Sequence, residues 1–229
     1  MLSEKPSLFG TAGVDEAGRG PMIGPLVVCG VLFDDDALRE LEVSDVRDSK
    51  TLSPKRREQL AEIIESHAAR ICTVHLSAAE IDEQRGRGIT LNELGVRKFI
   101  EVLQELRPTI AYVDAADVKA QRFGDTIGQR SGLWDAGCNI VSEHKADVKY
   151  PIVSAASIMA KVERDRMIAR FHEDYGDFGS GYPSDEKSVN YVRELVLSGQ
   201  DIPVIVRRSW ESVRRIITEY ETKQTTLGY

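Results

Sequence analysis

Two adjacent acidic residues, Asp15 and Glu16, follow a short apolar stretch and precede Gly18-Arg19-Gly20. Paired carboxylates can bind a metal ion or transfer a proton, and an arginine between two glycines can reach a phosphate. Neighbouring side chains of a strand point to opposite faces, so the two acids can serve one centre only if the backbone turns there or a metal ion bridges them. Gly18 and Gly20 can supply that turn and let a ligand approach the backbone. The alternative is a glycine-rich turn with two solvated acids.

Two well-known phosphate-binding motifs are excluded for this stretch. A dinucleotide-binding fingerprint, G-x-G-x-x-G, requires a glycine at the position that Ile23 occupies. A P-loop requires Gly-Lys before Ser or Thr, and no Gly-Lys pair occurs in the chain. The stretch is therefore not predicted to bind a nucleotide cofactor in either of these ways.

Two further acids stand where predicted strands end. A strand over 109–113 delivers Asp114 at its carboxyl end, and a strand over 139–142 leads into the segment with Asp147. Sites in open α/β sheets collect at such strand ends. Crowded carboxylates repel one another, so a hard cation is the natural compensating charge, and oxygen-only ligation favours magnesium or manganese over zinc. Taken singly, Asp114 could be a turn acid and Asp147 an acid at a helix start.

Six blocks of sequence, taken together, closely resemble ribonuclease HII, most of all its archaeal form. They occur in the family's order, from about residue 10 to about residue 215. The blocks span residues 14–25, 47–50, 112–117, 144–147, 154–158 and 179–184. One block alone would be weak support, but six in register make chance agreement very improbable.

The resemblance implies the chemistry of the four acids. In ribonucleases HII the acids that match Asp15, Glu16, Asp114 and Asp147 form the active site and hold two divalent ions, Mg²⁺ or Mn²⁺. Two ions roughly 3.5–4 Å apart can activate a water and stabilise the leaving 3′ oxygen. We expect Asp15 to bridge the ions. The implied enzyme is an endoribonuclease that cuts RNA in RNA/DNA hybrids and incises 5′ to single ribonucleotides in duplex DNA, leaving 5′-phosphate and 3′-hydroxyl ends.

The resemblance also implies how the substrate is recognised. Only the 2′-hydroxyl distinguishes an RNA sugar from a DNA sugar, so polar groups must come very close to the backbone. In the family, the motif matching Gly18, Arg19 and Gly20 works with a tyrosine matching Tyr182 at the junction of a ribonucleotide and a deoxyribonucleotide. The alternative for Tyr182 is an ordinary loop tyrosine packed by Pro183.

Several basic side chains are candidate phosphate contacts, although most surface lysines are simply solvated. The candidates are Lys50, Lys145 and Lys161, joined more loosely by Arg207 and Arg208. Lys50 is the strongest of them because it lies in a block that matches the family. His144 could shuttle a proton, but a structural histidine is the preferred interpretation. Asp117 and Glu143 are nearby acids that match no motif acid, and we leave them out of the site.

Composition sets the broad class of the protein. The chain has 229 residues, 41% hydrophobic and 29% charged, which is ordinary for a globular protein. The start lacks the apolar region of a signal peptide, and we expect a cytoplasmic protein. The net charge of −7 argues, if anything, against a nucleic-acid binder, although a cluster of catalytic acids awaiting metal would make it overstate the repulsion. The three cysteines, Cys29, Cys72 and Cys138, are predicted to be buried thiols with no disulfide or zinc site.

Periodicity predicts an α/β fold, which the resemblance specifies as a ribonuclease H-like mixed sheet flanked by helices, with a helical carboxyl-terminal extension. We expect a catalytic domain over 1–180 and the extension over 181–229. Besides the strands at Asp15, 109–113 and 139–142, apolar runs predict strands over 26–33 and 70–76. Helices are predicted from Pro54, from Leu91 to before Pro108, and over about 119–129, 151–175, 185–197 and 210–221.

The end of the chain resembles the start of a sliding-clamp-binding peptide through Gln224, Leu227 and Tyr229. The single aromatic residue comes one place early, and a frayed tail is the safer interpretation. We expect a monomer that binds RNA/DNA hybrid and ribonucleotide-containing DNA, with a role in ribonucleotide excision repair and DNA replication.

Three other interpretations compete with ribonuclease HII. Ribonuclease HIII shares the core but adds an amino-terminal substrate-binding domain, and only about ten residues precede the core here. A DNA nuclease or integrase of the wider ribonuclease H-like group would use clustered acids without an evident need for Gly-Arg-Gly and Tyr182. A non-catalytic nucleic-acid-binding module would be expected to lack at least one of the four acids, and all four are present.

Overall fold

The computed structural model describes residues 7–43 and 52–227, and a five-stranded mixed sheet lies at the centre of the fold. The strands are β1 (Thr11–Ala17), β2 (Leu26–Phe33), β3 (Arg70–Leu76), β4 (Ile110–Asp114) and β5 (Asn139–Glu143), in the spatial order β3-β2-β1-β4-β5. Strand β1 runs antiparallel to β2 and parallel to β4, and β4 runs parallel to β5. The predicted α/β class with a mixed sheet is confirmed.

Nine helices occur in the described chain. They are α1 (Asp35–Val43), α2 (Pro54–His67), α3 (Ala78–Gly86), α4 (Leu91–Leu106), α5 (Ala120–Ser131), α6 (Ala146–Lys149), α7 (Pro151–Tyr175), α8 (Glu186–Leu197) and α9 (Glu211–Leu227). None of them is long and apolar enough to cross a membrane, as far as the described residues show. The predicted carboxyl-terminal helices correspond to α8 and α9.

Local sequence signals set most of these boundaries. Strands β2 and β3 and helix α7 have the predicted limits, and Ser53 caps α2 by accepting a hydrogen bond from the backbone N of Arg56 at 3.3 Å. Helices α1, α3 and α6 were not predicted. Helix α3 begins with a capping box, in which Ser77 and Glu80 each accept a hydrogen bond from the other's backbone N–H.

The structure groups the chain into two compact units. The first, unit 1, draws on Met1–Ala17, Val27–His75 and Asn92–Glu163. The second, unit 2, draws on Gly18–Leu26, Leu76–Leu91 and Arg164–Tyr229. The division at residue 180 stays a prediction.

Unit 1 has a continuous apolar core between the sheet and helices α4 and α5. It includes Val14 and Val113 of the neighbouring strands and Phe99 and Phe123 of the two helices. The rings of Phe99 and Phe123 meet edge to face with centroids 5.1 Å apart, a favourable aromatic geometry. This core fixes β1 and β4 side by side. The three cysteines are free thiols. Cys29 and Cys138 are buried, as predicted, whereas Cys72 is half-buried.

Unit 2 has a core of its own. Met22 and Ile23, which follow the Gly-Arg-Gly segment in the chain, pack with Phe178, Val192 and Val206. An antiparallel bridge pairs Ile23 with Val206. The chain after Gly18 is therefore held by residues far along the sequence.

One charged cluster of unit 1 contributes stability that depends on pH. Both terminal guanidinium nitrogens of Arg130 on α5 donate to Glu93 on α4 at 2.8 Å, and Arg97 donates to the same carboxylate at 2.9 Å. These bonds, chiefly those from Arg130, lower the pKa of Glu93 from its ordinary 4.5 to about 2. Because the folded-state pKa is depressed, the stabilisation is present above pH 4.5 and is lost as the pH falls towards 2.

Replacing Glu93 with Gln should therefore lower the free energy of unfolding at pH 7 by about 1 kcal/mol, after allowance for the solvent screening of a partly exposed pair. Urea denaturation of both proteins between pH 7 and pH 2.5 would show this difference shrinking below pH 4.5. Glu101→Gln, at an exposed acid of the same helix, serves as the control. A difference that stays constant down to pH 2.5 would contradict the assignment.

Candidate active site

Asp15 lies on β1, the central strand of the sheet, and its side chain is buried with 5% of its surface exposed. The strand continues through Glu16 to Ala17, each paired with a residue of β2. The turn that Gly18 supplies, with φ +89°, therefore comes after the acid pair and not within it. Asp15 and Glu16 could serve one centre through a backbone turn or through a bridging metal ion. The structure shows no turn between them.

The structure brings Asp114 next to Asp15. Strands β1 and β4 are parallel, and Val14 pairs with Val113, so the two acids follow at the same level on adjoining strands. Burial raises the pKa of Asp15 well above its ordinary value, and the charge of Asp114 raises it further. A cation between the two carboxylates would relieve both effects.

Asp114 in turn fixes the segment that carries Asp147. The backbone N of Ala146, the first residue of α6, donates to a carboxylate oxygen of Asp114 at 2.8 Å. Asp147 is the next residue and is buried, with 4% of its surface exposed. Three of the predicted acids, Asp15, Asp114 and Asp147, therefore belong to one corner of unit 1.

Glu16 is half-buried, and its backbone N donates to a carboxylate oxygen of Asp15 at 2.7 Å. Among residues 7–43 and 52–227, no three His, Cys, Asp or Glu side chains are grouped so that they could hold a metal ion. The four acids therefore do not form a closed ligand cage as they stand. Their donor chemistry nevertheless suits a hard cation, because every group is a carboxylate and the buried Asp15 is destabilised in its charged form.

Sequence reasoning missed one polar residue of this site, Ser157 on α7. Its hydroxyl donates a hydrogen bond to Asp15, which lowers the pKa of the acid against the effect of burial. Helix α7 can lie this close because β1 has Gly13 beneath it: a Cβ there would meet the carbonyl oxygen of Ile152 at 2.2 Å. In the sequence the segment 154–158 was only one of the blocks that match the family, and no signal there marks Ser157, because its approach to Asp15 depends on how α7 packs against β1.

The two nearby acids that match no family motif are engaged by cations. Lys149 donates to Glu143, which also accepts a hydrogen bond from the hydroxyl of Tyr150 at 2.8 Å. Arg122 donates to both carboxylate oxygens of Asp117. The hydrogen bonds from Lys149 and Tyr150 lower the pKa of Glu143. The backbone N–H of Lys119, followed by Arg122, lowers the pKa of Asp117.

In unit 2 the predicted substrate residues Gly20 and Tyr182 lie together. A Cβ on Gly20 would meet the ring of Tyr182 at 3.6 Å, and Gly20 is exposed while Tyr182 is half-buried. On Gly18 a Cβ would meet the carbonyl oxygen of Pro25 at 2.3 Å, so no other residue fits there. The guanidinium of buried Arg164 lies 5.3 Å from the tyrosine ring centroid.

The expected role of Arg207 as a phosphate contact is wrong. Its side chain has 0% exposure, and its guanidinium binds backbone carbonyl oxygens. Arg208 is exposed, and its guanidinium donates to the carbonyl oxygen of Ile202. A basic residue was assumed to be solvated, and burial in unit 2 overrides that expectation.

The remaining basic candidates are placed as follows. Lys145 is exposed at the start of α6 with φ +57°, and Lys161 is half-buried on α7. Lys50 lies outside the described residues. The ring of His144 is exposed and lies within hydrogen-bonding distance of the carbonyl oxygen of Val118, at 3.3 Å. The roles of the three lysines stay predictions.

Fold and site together define a class. A mixed sheet flanked by helices, in which Asp15 of β1 lies beside Asp114 at the end of the parallel strand β4, resembles that of the ribonuclease H-like nucleases.

Comparison with known proteins specifies the family. The model of the family described as Ribonuclease HII matches residues 12–213. Ribonuclease HII of Pyrococcus furiosus is 46% identical over 217 residues, covering 94% of this chain and 94% of that protein. The chain belongs to the ribonuclease HII family, in its archaeal form, and is a ribonuclease H hydrolase.

Solved structures agree with this assignment. The structure of the PCNA:RNase HII complex from Archaeoglobus fulgidus contains a chain that matches with a TM-score of 0.80 and 45% identity, covering 90% of this chain and 96% of that one. The crystal structure of Bst-RNase HIII in complex with Mn²⁺ matches with a TM-score of 0.75 and 16% identity, covering 94% of this chain and 71% of that one. The second match shows likeness of fold alone.

Replacing Ser157 with Ala should raise the pKa of Asp15 further, since the hydroxyl that stabilises its charged form is removed. Activity that needs the ionised acid should then be lost at a higher pH, so the acidic limb of the profile of kcat/KM against pH should move upwards by about one unit or less. Ser142→Ala removes a buried hydroxyl that has no hydrogen-bond partner and should leave the profile unchanged. Identical acidic limbs for wild type and Ser157→Ala would refute the role of Ser157.

Proposed function

We propose that this ribonuclease H cuts the RNA strand of RNA/DNA hybrids and also incises duplex DNA on the 5′ side of a single ribonucleotide. The observation that carries the proposal is the placement of Asp15 beside Asp114 on neighbouring parallel strands, in a chain of the ribonuclease HII family. Such incision would leave 5′-phosphate and 3′-hydroxyl ends and would serve ribonucleotide excision repair and DNA replication.

Asp15, Glu16, Asp114 and Asp147 are the residues that would hold two divalent ions, Mg²⁺ or Mn²⁺. When bound, the ions supply an activated water and stabilise charge on the leaving oxygen. The Mn²⁺ complex of Bst-RNase HIII, which shares the fold, supports a metal ion of this kind. Asp15 needs a counter-charge, because burial and the charge of Asp114 both disfavour its ionised form.

The protein groups around these acids orient them. The backbone N of Ala146 holds one oxygen of Asp114, and the amide of Glu16 and the hydroxyl of Ser157 hold Asp15. Bonds to the charged form of a carboxylate favour its ionisation, so the donors to Asp15 offset part of the effect of burial on its pKa. Burial of Asp15 keeps bulk water away from it.

The Gly18-Arg19-Gly20 segment and Tyr182 would recognise the sugar-phosphate backbone at a ribonucleotide. Gly20 is exposed against the tyrosine ring, so a sugar could stack on the ring while its hydroxyl lies near the backbone of the loop. Lys50, Lys145 and Lys161 would contact phosphates through their positive charge.

The proposed activity is tested with an end-labelled DNA duplex that contains one ribonucleotide, incubated with Mg²⁺ or Mn²⁺. We expect one cut, on the 5′ side of the ribonucleotide, and cleavage of a long RNA/DNA hybrid under the same conditions. Asp15→Asn should reduce both rates by about 100-fold or more, while Asp117→Asn, at an acid held by Arg122, should not. A folded Asp15→Asn variant with near-normal cleavage would exclude the proposed site.

We further propose a sliding clamp as a partner, bound through Gln224, Leu227 and Tyr229. The support is the PCNA complex of the Archaeoglobus fulgidus relative, together with the resemblance of this tail to a clamp-binding peptide. Tyr229 lies outside the described residues.

Deleting the last six residues should abolish co-elution with a sliding clamp in size-exclusion chromatography, because the three proposed contact residues are removed. Basal cleavage of a short duplex should be unchanged. Co-elution that survives the deletion would show that the clamp binds elsewhere.

A further inference from the structure

A buried arginine of unit 2 binds the backbone of the Gly-Arg-Gly loop. Arg207 has 0% exposure, and its guanidinium donates to the carbonyl oxygens of Gly18 at 2.6 Å, Arg19 at 3.2 Å and Gly24 at 2.9 Å. The indole N–H of Trp210 donates to the carbonyl oxygen of Gly20 at 3.1 Å. Three consecutive carbonyl groups of the loop are therefore held by side chains from one short segment, 207–210.

These bonds set the direction of the loop's N–H groups. The peptide bonds of the described chain are trans, and in a trans peptide the N–H points opposite to the C=O of the same unit. With the carbonyl groups of Gly18 and Arg19 turned towards the buried guanidinium, the N–H groups of Arg19 and Gly20 point away from it. Two successive N–H groups that point the same way form a site for an oxygen acceptor.

The segment that makes these bonds is itself fixed. Both carboxylate oxygens of Asp82 on α3 accept backbone N–H groups, from Arg208 at 2.6 Å and from Ser209 at 2.9 Å. Two guanidinium groups lie over the Trp210 ring: that of Arg207 is 4.7 Å from the ring centroid and that of Arg85 is 5.3 Å from it. Cation–π contacts of this kind hold the indole in place.

We propose that Arg207 and Trp210 are positioning residues that set how strongly the enzyme discriminates a ribonucleotide from a deoxyribonucleotide. They do so by fixing the loop so that the N–H groups of Arg19 and Gly20 meet an oxygen of the substrate backbone, such as the 2′-hydroxyl. This inference rests on the proposed function of the loop. Neither side chain needs to contact the substrate, since both act through the loop's carbonyl groups.

Arginine is required at this position for a geometric reason. A guanidinium presents several N–H donors in a planar fork, which matches three carbonyl oxygens at once, whereas the lysine ammonium is a compact charge on a flexible stem. Arg207→Lys therefore keeps the positive charge but loses the simultaneous bonds. Trp210→Phe removes a single donor, the one to Gly20, and keeps an aromatic ring.

The test measures discrimination. Kd is determined in EDTA for a DNA duplex with one ribonucleotide and for the same duplex made of DNA alone, with wild type, Arg207→Lys, Trp210→Phe and the control Arg193→Lys. Arg193 is an exposed arginine of unit 2 whose side chain binds Asn190. Discrimination is the Kd for the all-DNA duplex divided by the Kd for the duplex with one ribonucleotide. Arg207→Lys should lower this ratio about tenfold, with affinity for the all-DNA duplex unchanged. Trp210→Phe should lower the ratio less, and Arg193→Lys should match wild type.

A purely structural role would weaken binding of both duplexes alike and leave their ratio intact. An unchanged ratio in a folded Arg207→Lys variant would overturn the positioning role. If Arg207→Lys does not fold, an unchanged ratio in Trp210→Phe would overturn it. Cleavage by the wild-type protein is assayed in parallel. A wild type that cleaves neither hybrid nor ribonucleotide-containing duplex would overturn the proposed function, and the positioning role with it. A wild type that cleaves, with variants that keep its discrimination, would overturn the positioning role alone.

Discussion

The burial of one carboxylate, Asp15, beside a second one, Asp114, is the constraint on which the site depends. A buried acid is unfavourable in its charged form, and a neighbouring negative charge makes it more so. A fold keeps such a pair only where something else compensates. Donors from the chain compensate in part, and the rest of the charge is what a divalent cation would neutralise.

The architecture of unit 1 follows from holding this pair in place. Parallel pairing of β1 with β4 sets the two acids at one level, and the absence of a side chain at Gly13 lets α7 approach with Ser157. The hydrogen bond from Ala146 to Asp114 brings the Asp147 segment to the same corner. Core packing of the strands against α4 and α5 is what makes these positions stable.

Local signals in the sequence were sufficient for much of the fold. Both limits of β2 and α7 and the start of α2 at Pro54 are set by contiguous residues, and these boundaries were predicted. Helix α3 was missed because few of its residues are apolar and buried, although its capping box was visible. Helix α6, with four residues, is too short for periodicity to show.

Residue types and the family blocks were sufficient to nominate the four acids and the Gly20 and Tyr182 pair, and the roles of these residues stay predictions. The structure places Asp15 beside Asp114 and Gly20 beside Tyr182. The contribution of Ser157 could not be predicted, because it depends on how closely α7 approaches β1. Arg207 was assigned wrongly for a similar reason: a basic residue is usually exposed, and its burial against loop carbonyl groups depends on contacts between residues about 190 positions apart in the chain.

A crystal of the wild-type protein grown with Mn²⁺ would test the central claim most directly. Anomalous scattering locates manganese without reference to the surrounding protein. The account predicts a peak at about 2.2 Å from oxygens of both Asp15 and Asp114, with Glu16 or Asp147 among the further ligands. Manganese bound only elsewhere, with the Asp15 and Asp114 carboxylates free of metal, would contradict it.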